Sequence, residues 1–79
     1  MAPTVRRDGP FRLFFFSREE TRPHVHVAHP DGEAKFWIVP GVELAVVVGL
    51  SARQAAEAEV IVRRHLDEIR DAWTRHFGS

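Results

Sequence analysis

Cysteine is absent from this sequence of 79 residues, which also lacks long apolar runs and an excess of charge of one sign. The lack of cysteine excludes disulfide bonds and every thiolate zinc site. The longest apolar runs, 13–16 and 44–50, are far shorter than the ~20 residues that span a bilayer, so we expect no membrane partner. Because 11 basic residues balance 11 acidic residues, non-specific binding to nucleic acid is not expected.

What the sequence does contain is the composition of a folded protein, with 44% hydrophobic and 28% charged residues. A chain of this size has room for one hydrophobic core, so residues 1–79 are predicted to form a single domain. Burial alone leaves such a domain marginally stable, and a metal ion or self-association would be the available supports. Residues 1–16 lack an apolar stretch of signal-peptide length, which favours a cytoplasmic location.

Glycine and proline divide the chain into two parts, because they recur up to Gly49 and are then absent until Gly78. Short segments between turn residues are typical of strands, and a long uninterrupted segment is typical of a helix. The sequence therefore predicts an α+β fold: a small, mainly antiparallel sheet of four to five strands in 1–49, with one long C-terminal helix in 51–77 packed on one face. The predicted strands are Thr4–Arg7, Phe11–Ser17, His24–His29, Glu33–Val39 and Val42–Val48.

A turn at Pro30-Asp31-Gly32 predicts a hairpin between the third and fourth strands. Side chains alternate between the two faces of a strand, so matching the apolar residues of the two strands sets their register. A bulge at Gly32 would shift that register by one residue. In the matched register, one face of the hairpin carries His24, His26, Glu33, Lys35 and Trp37.

The predicted helix begins with a capping box formed by Ser51 and Gln54, and Gly78 is positioned to end it. Residues 52–77 would extend about 39 Å at 1.5 Å per residue, whereas a five-residue strand extends about 17 Å. One apolar stripe runs the whole length, at Ala55, Ala58, Val62, Leu66, Ile69, Trp73 and Phe77. A helix of this length would overhang the sheet, which predicts a homodimer.

Residues 14–27, FFFSREETRPHVHV, resemble a family of small bacterial and archaeal proteins of unknown function. Members are similar in length and share the aromatic strand, the acidic Ser-x-Glu segment and the Pro-His-x-His motif. They also share a strand like 33–38 and a Ser-capped helix that ends in Trp-x-x-x-Phe, here Trp73 and Phe77. His65 departs from the family pattern, in which Asn is common.

The genes of this family often lie beside another short gene, in arrangements interpreted as toxin–antitoxin-like pairs. The resemblance therefore implies a component of a two-gene system and a small partner protein from the neighbouring gene. It implies no catalytic residue, substrate or cofactor.

His24 and His26 lie two residues apart on one predicted strand, so their side chains project from one face with Cα atoms about 7 Å apart. This spacing can serve zinc or a similar divalent metal if a third protein ligand completes the site. Glu33, on the neighbouring strand, is the best candidate for that ligand. A metal site of His24, His26 and Glu33 is one hypothesis for this face.

The same face also suits metal-free chemistry on a phosphodiester. His24 or His26 can act as general acid and base near neutral pH, where imidazole titrates. Arg22 and Lys35 can hold a phosphate group. A small phosphodiesterase or ribonuclease, with His24, His26 and Lys35 as catalytic residues, is therefore a second hypothesis.

The simplest interpretation is that these polar residues are solvated side chains on the open face of an antiparallel sheet. The face would then bind protein, with Arg22, Glu33 and Trp37 among its contacts. We favour this interpretation, because the balanced charge gives no support to a nucleic-acid substrate. Together with the two-gene arrangement that the family resemblance implies, this interpretation predicts a protein-binding component of a toxin–antitoxin-like system that requires no cofactor.

Overall fold

The computed structural model describes residues 4–16 and 22–78. They form five strands and two helices: β1 (Thr4–Asp8), β2 (Phe11–Phe14), β3 (His24–His29), β4 (Gly32–Trp37), β5 (Glu43–Val48), α1 (Ala52–Arg64) and α2 (Leu66–Phe77). The strands make one antiparallel sheet in the order β1-β2-β3-β4-β5. This confirms the predicted α+β class. Neither helix is long and apolar enough to cross a membrane, as judged over the described residues.

The strands occur where glycine and proline punctuation predicts them, and β3 has the predicted bounds. The main difference is that β2 ends at Phe14, short of the predicted end at Ser17, which lies outside the described residues together with 18–21. The last pair of the β2–β3 ladder is Phe14 with His26. Beyond it Phe15 is buried against Trp73 of α2, with ring centroids 5.4 Å apart.

The β3–β4 hairpin has the predicted turn and register. Pro30 and Asp31 form the turn, and Gly32 pairs with His29, so no bulge shifts the strands there. A side chain at Gly32 would collide with the carbonyl oxygen of Val48, because the end of β5 passes directly over this position. Glycine is therefore required where the hairpin meets the connection from β5 to α1.

The hydrophobic core lies between one face of the sheet and the two helices. The sheet contributes alternate residues of β2, β3 and β4, with Phe15 and Ile38 just beyond the ends of two strands. The helices contribute the buried part of the predicted stripe together with Ile61. Its members are Phe11, Leu13, Phe15, Val25, Val27, Ala34, Phe36, Ile38, Ala58, Ile61, Val62, Ile69 and Trp73.

Both predicted helix ends are confirmed. Gln54 N donates to Ser51 Oγ at 3.1 Å, and Ser51 N donates to Gln54 Oε1 at 2.8 Å, which completes the capping box. Gly78 ends α2 with φ of 80°, in the left-handed region that glycine adopts without a steric cost. The side chain of Gln54 also donates to Asp31 Oδ2 at 2.7 Å, which ties the hairpin turn to the start of α1.

The prediction of one continuous helix is wrong, because the helical segment breaks at His65. This residue has φ −108° and ψ 20°, outside helical values. Hydrogen bonds still cross the break, from His65 N to Ile61 O at 3.1 Å and from Ile69 N to His65 O at 2.9 Å. The junction is therefore a bend between two consecutive helices. Its side-chain partner is Asp8 at the end of β1, 2.9 Å from Nε2 of His65.

A homodimer was predicted from the overhang of one long helix beyond the sheet, and the structure instead has two helices that pack on different strands. α1 packs on β4, whereas α2 packs on β1. Trp73 and Phe77 of α2 lie against Phe15, with ring centroids 5.4 Å and 5.9 Å away. The apolar stripe is thus used within the chain, and self-association needs a different structural basis.

Candidate functional site

The face of the sheet turned away from the helices is lined by aromatic rings and cations. Side chains alternate along β2, β3 and β4, and the helix-facing set forms the core. We call the other set the aromatic face; its members are Arg12, Phe14, Phe16, Arg22, His24, His26, Lys35 and Trp37. The structure therefore brings together Arg22 and four of the residues predicted for this face, and the fifth, Glu33, lies on the same side of β4, farther along the strand and opposite Ala28.

His26 lies at the centre of the aromatic face and is half-buried. Its ring stacks on Phe14, with centroids 5.3 Å apart and planes at 26°. Phe16 meets the same ring edge-on at 4.5 Å. Across the strand pair His26 lies opposite Lys35. One imidazole is thus held between two phenylalanines, directly beside a cationic neighbour.

His24 is fully buried, which corrects the prediction of a solvated side chain. Because the β2–β3 ladder ends at His26, His24 is paired with a strand on one side only. Its ring lies 5.6 Å from that of Trp37 and 5.3 Å from that of Trp73. This position places His24 at the border between the aromatic face and the core.

The tautomer of His24 follows from one hydrogen bond. Nδ1 lies 2.8 Å from the carbonyl oxygen of Arg22. A carbonyl oxygen only accepts, so Nδ1 carries the proton, and in the neutral imidazole Nε2 holds the lone pair. The backbone that leads into β3 therefore orients the ring. Since the ring is buried, a substrate in solution cannot reach it.

Three cations lie over aromatic rings of this face. The guanidinium carbon of Arg22 is 4.4 Å and Nζ of Lys35 is 4.5 Å from the ring centroid of Trp37. The guanidinium carbon of Arg12 is 4.4 Å from the centroid of Phe14. At exposed sites such contacts contribute about 0.5–1 kcal/mol each. They hold positive charge close to an apolar surface.

Glu33 does not join the two histidines in a three-ligand site. It is exposed and pairs with Ala28, whereas His24 pairs with Trp37 and His26 with Lys35. Across 4–16 and 22–78, the structure contains no cluster of three His, Asp or Glu residues suited to a metal ion. The residues present therefore do not fit the hypothesis of a zinc site formed by His24, His26 and Glu33.

Sequence reasoning did not assign Arg12, Phe14 and Phe16 to the site. The sequence of β2 is largely apolar on both faces, so its composition did not show which face belongs to the site. The signal that could have shown it is the alternation of side chains along the strand. Once Phe14 is paired with His26, Arg12 and Phe16 fall on the same face of the strand. Among the phenylalanine and tryptophan residues of this set, Phe16 is the most exposed, with 45% of its surface accessible.

Comparison with known proteins supports the resemblance seen in the sequence. The model of a family described as "Domain of unknown function (DUF4160)" matches residues 11–74, which include all of the aromatic face. No curated protein and no solved structure matches the chain significantly. Since the family model covers most of the sequence, the chain belongs to the DUF4160 family.

Proposed function

We propose that this protein is a protein-binding component of a two-gene, toxin–antitoxin-like system, and that the aromatic face contacts the product of the neighbouring gene. The observation that carries the proposal is an exposed phenylalanine, Phe16, on a sheet face that would ordinarily be polar. Phe16 is 45% exposed beside His26. Aromatic residues and arginine are enriched at the centres of protein interfaces.

The cations of the aromatic face define the chemistry of the partner. Arg22 and Lys35 lie over one ring and Arg12 over another, so a partner gains most by placing carboxylates near them. An apolar side chain beside Phe16 would complete the contact. The partner segment is therefore acidic, with at least one apolar anchor. The chain as a whole is neutral, so this complementarity is local.

The test is a binding titration between the purified protein and the neighbouring gene product. Phe16→Ala should raise Kd about tenfold or more, as expected for an interface anchor. Arg22→Gln should also raise Kd, with a larger effect at low salt than at high salt. Val60→Ala is the control, since Val60 is 55% exposed on α1, away from this face. Absence of binding at micromolar concentration, or equal Kd for all variants, would exclude the proposal.

A second candidate is a small phosphodiesterase or ribonuclease, favoured by the pairing of His26 with Lys35. His26 would exchange the proton, and Lys35 and Arg22 would hold the phosphate. His24 would act as a positioning residue, because it is buried against Trp37 and bonded to the backbone at Arg22. RNA cleavage that persists in His26→Ala would exclude this activity, and cleavage unchanged by a chelator would agree with metal-free chemistry.

A further inference from the structure

β5 forms one edge of the sheet and leaves one row of backbone N–H and C=O groups open. Over the described residues, β5 pairs with β4 and with no other strand. Open edges of this kind are templates for another strand, and natural proteins protect them with charged residues, bulges or covering segments. The two edges of this sheet differ in how far they are protected.

β1, the opposite edge, carries Arg6 and Arg7 and an irregularity between Thr4 and Arg6. Its sequence TVRRD is typical of an edge that resists pairing. β5 reads ELAVVV, with a single charged residue at its start. Between 41% and 60% of the surface is exposed at Leu44, Val46, Val47 and Val48. Both edges contain an irregularity, and they differ in charge: β1 has charged residues within the strand, whereas β5 has only Glu43 at its start.

Both faces of β5 are apolar, and a bulge determines which of its side chains share a face. Lys35 pairs with Val46 and Phe36 with Leu44, so Ala45 is the extra residue. Because one residue is inserted, Leu44 and Val47 lie on the same face, the one toward the helices. Val46 and Val48 lie on the other face. Without the bulge, Leu44 and Val47 would point in opposite directions.

Leu44 and Val47 also form one wall of an open groove. The other wall is the start of α1, with Ala52, Ala55 and Ala56, and the groove has a volume of about 410 Å³. These small residues leave room beside the strand for a second helix to approach closely. An apolar strand edge and an apolar groove thus lie side by side.

We propose that β5 pairs antiparallel with β5 of a second copy about a two-fold axis perpendicular to the sheet, which makes a continuous ten-stranded sheet. In the register centred between Ala45 and Val46, Leu44 of one copy lies opposite Val47 of the other. Residues directly opposite in an antiparallel pair share a face, and the bulge places these two on the same one. This match is what identifies the occupant as a second copy.

The charges agree with this register. Glu43 of one copy lies opposite Val48 of the other, so the two Glu43 residues are five positions apart, about 17 Å along the strand. No like charges face each other within the paired strands. The two-fold axis also places the helices of both copies on the same side of the sheet, where their grooves adjoin.

The mass in solution tests the proposal, by sedimentation equilibrium or light scattering at micromolar concentration. The wild type should have a mass of about 18 kDa, twice that of the 9.0 kDa chain. Val47→Lys should halve it, because the charge would be enclosed against the other copy. Val39→Lys is the matched control, since Val39 and Val47 are both 42% exposed and only Val47 lies in β5.

A cross-link tests the register independently of any folding defect. In the variant Leu44→Cys/Val47→Cys, the two positions of one chain are three residues apart on an extended strand, too far for an internal disulfide. Between copies they are opposite, so oxidation should give a covalent dimer. The natural chain has no cysteine, so any disulfide must involve the two introduced residues. A wild-type monomer, or a dimer that Val47→Lys leaves intact, would overturn the proposal.

This proposal does not depend on the function of the aromatic face. Phe16→Ala should leave the mass at about 18 kDa, which is twice 9.0 kDa, and Val47→Lys should leave binding to the neighbouring gene product unchanged. If the wild type is a monomer and Val47→Lys abolishes that binding, the edge belongs to the partner protein and the self-pairing is excluded.

Discussion

Asp8 and His65 are 57 positions apart in the chain, and their side chains meet at the junction of α1 and α2. Oδ2 of Asp8 lies 2.9 Å from Nε2 of His65 and 3.0 Å from a guanidinium nitrogen of Arg64. Nδ1 of the same imidazole lies 3.8 Å from Glu68, which accepts from Arg6 at 3.3 Å. These contacts connect β1 to the bend in the helical segment.

His65→Ala should lower the free energy of unfolding by about 1 kcal/mol, because it removes a hydrogen bond to a charged group at a largely buried position. The side chain of His65 is 13% exposed. Urea denaturation measures the change, and Glu57→Ala, at an exposed position of α1, is the control. Equal stability of the two variants would show that the Asp8 contact does not support the bend.

Asp8 should also make stability depend on pH in the acid range. The hydrogen bond with His65, and then the contacts with Arg64, hold the pKa of the Asp8 carboxyl below its ordinary value. A carboxyl with a lowered pKa in the folded state adds stability at pH above its unfolded value, about 3.9 for Asp. That contribution is lost as pH falls through the folded-state pKa.

Urea denaturation at a series of pH values from neutral downward would measure this loss. Asp8→Asn should be less stable than the wild type near neutral pH, and the difference should shrink as the pH falls below the ordinary pKa of Asp. A difference that stays constant throughout the acid range would mean that ionisation of Asp8 is not coupled to folding.

The extent to which the fold was predictable depends on the range of the contacts involved. Turn chemistry at Pro30-Asp31 and the capping box at Ser51 and Gln54 are local, and both predictions are confirmed. The helix break at His65 is not local, because its partner, Asp8, comes from the other end of the chain. No glycine or proline marks the break, so periodicity alone indicates one helix.

In the candidate site, too, the features set by local pattern were predictable and those set by tertiary contacts were not. Alternation on β3 and β4 correctly predicted the residues that share one face of the hairpin, and the structure adds the pairs His24 with Trp37 and His26 with Lys35. The burial of His24 was not predictable from alternation, since it depends on where β2 ends and on Trp73 of α2. A position in a strand indicates which face a side chain takes, and only the tertiary packing decides what covers that face.

Gly32→Ala should destabilise the protein by about 1–3 kcal/mol, the range for an added group that tight packing cannot accommodate. A Cβ at Gly32 would collide with the carbonyl oxygen of Val48, and the carbon atoms of Gly49 lie less than 3 Å from the same point. Neither contact is with a flexible side chain, so the backbone itself must shift. Gly41→Ala is the control, because a Cβ there meets open space. It should change stability by less than about 1 kcal/mol.

The melting temperatures of the two glycine variants, together with urea denaturation, would measure this contrast. Similar stability of Gly32→Ala and Gly41→Ala would show that the contact between the hairpin and the end of β5 adjusts easily.

His24→Ala and His26→Ala should separate the structural histidine from the surface histidine. His24 is fully buried between Trp37 and Trp73, so its truncation leaves a cavity and should cost on the order of 2–4 kcal/mol. His26 is half-buried, and its truncation should cost less than about 1 kcal/mol.

Urea denaturation of both variants checks this difference before any functional assay is interpreted. Because His26→Ala is expected to keep the fold, a loss of partner binding or of RNA cleavage in that variant reports on the aromatic face itself. The same loss in His24→Ala would follow from unfolding alone, since the ring is enclosed by the core residue Trp73. If His24→Ala proves as stable as His26→Ala, the imidazole of His24 contributes no net packing energy, and the structural role predicted for His24 is wrong.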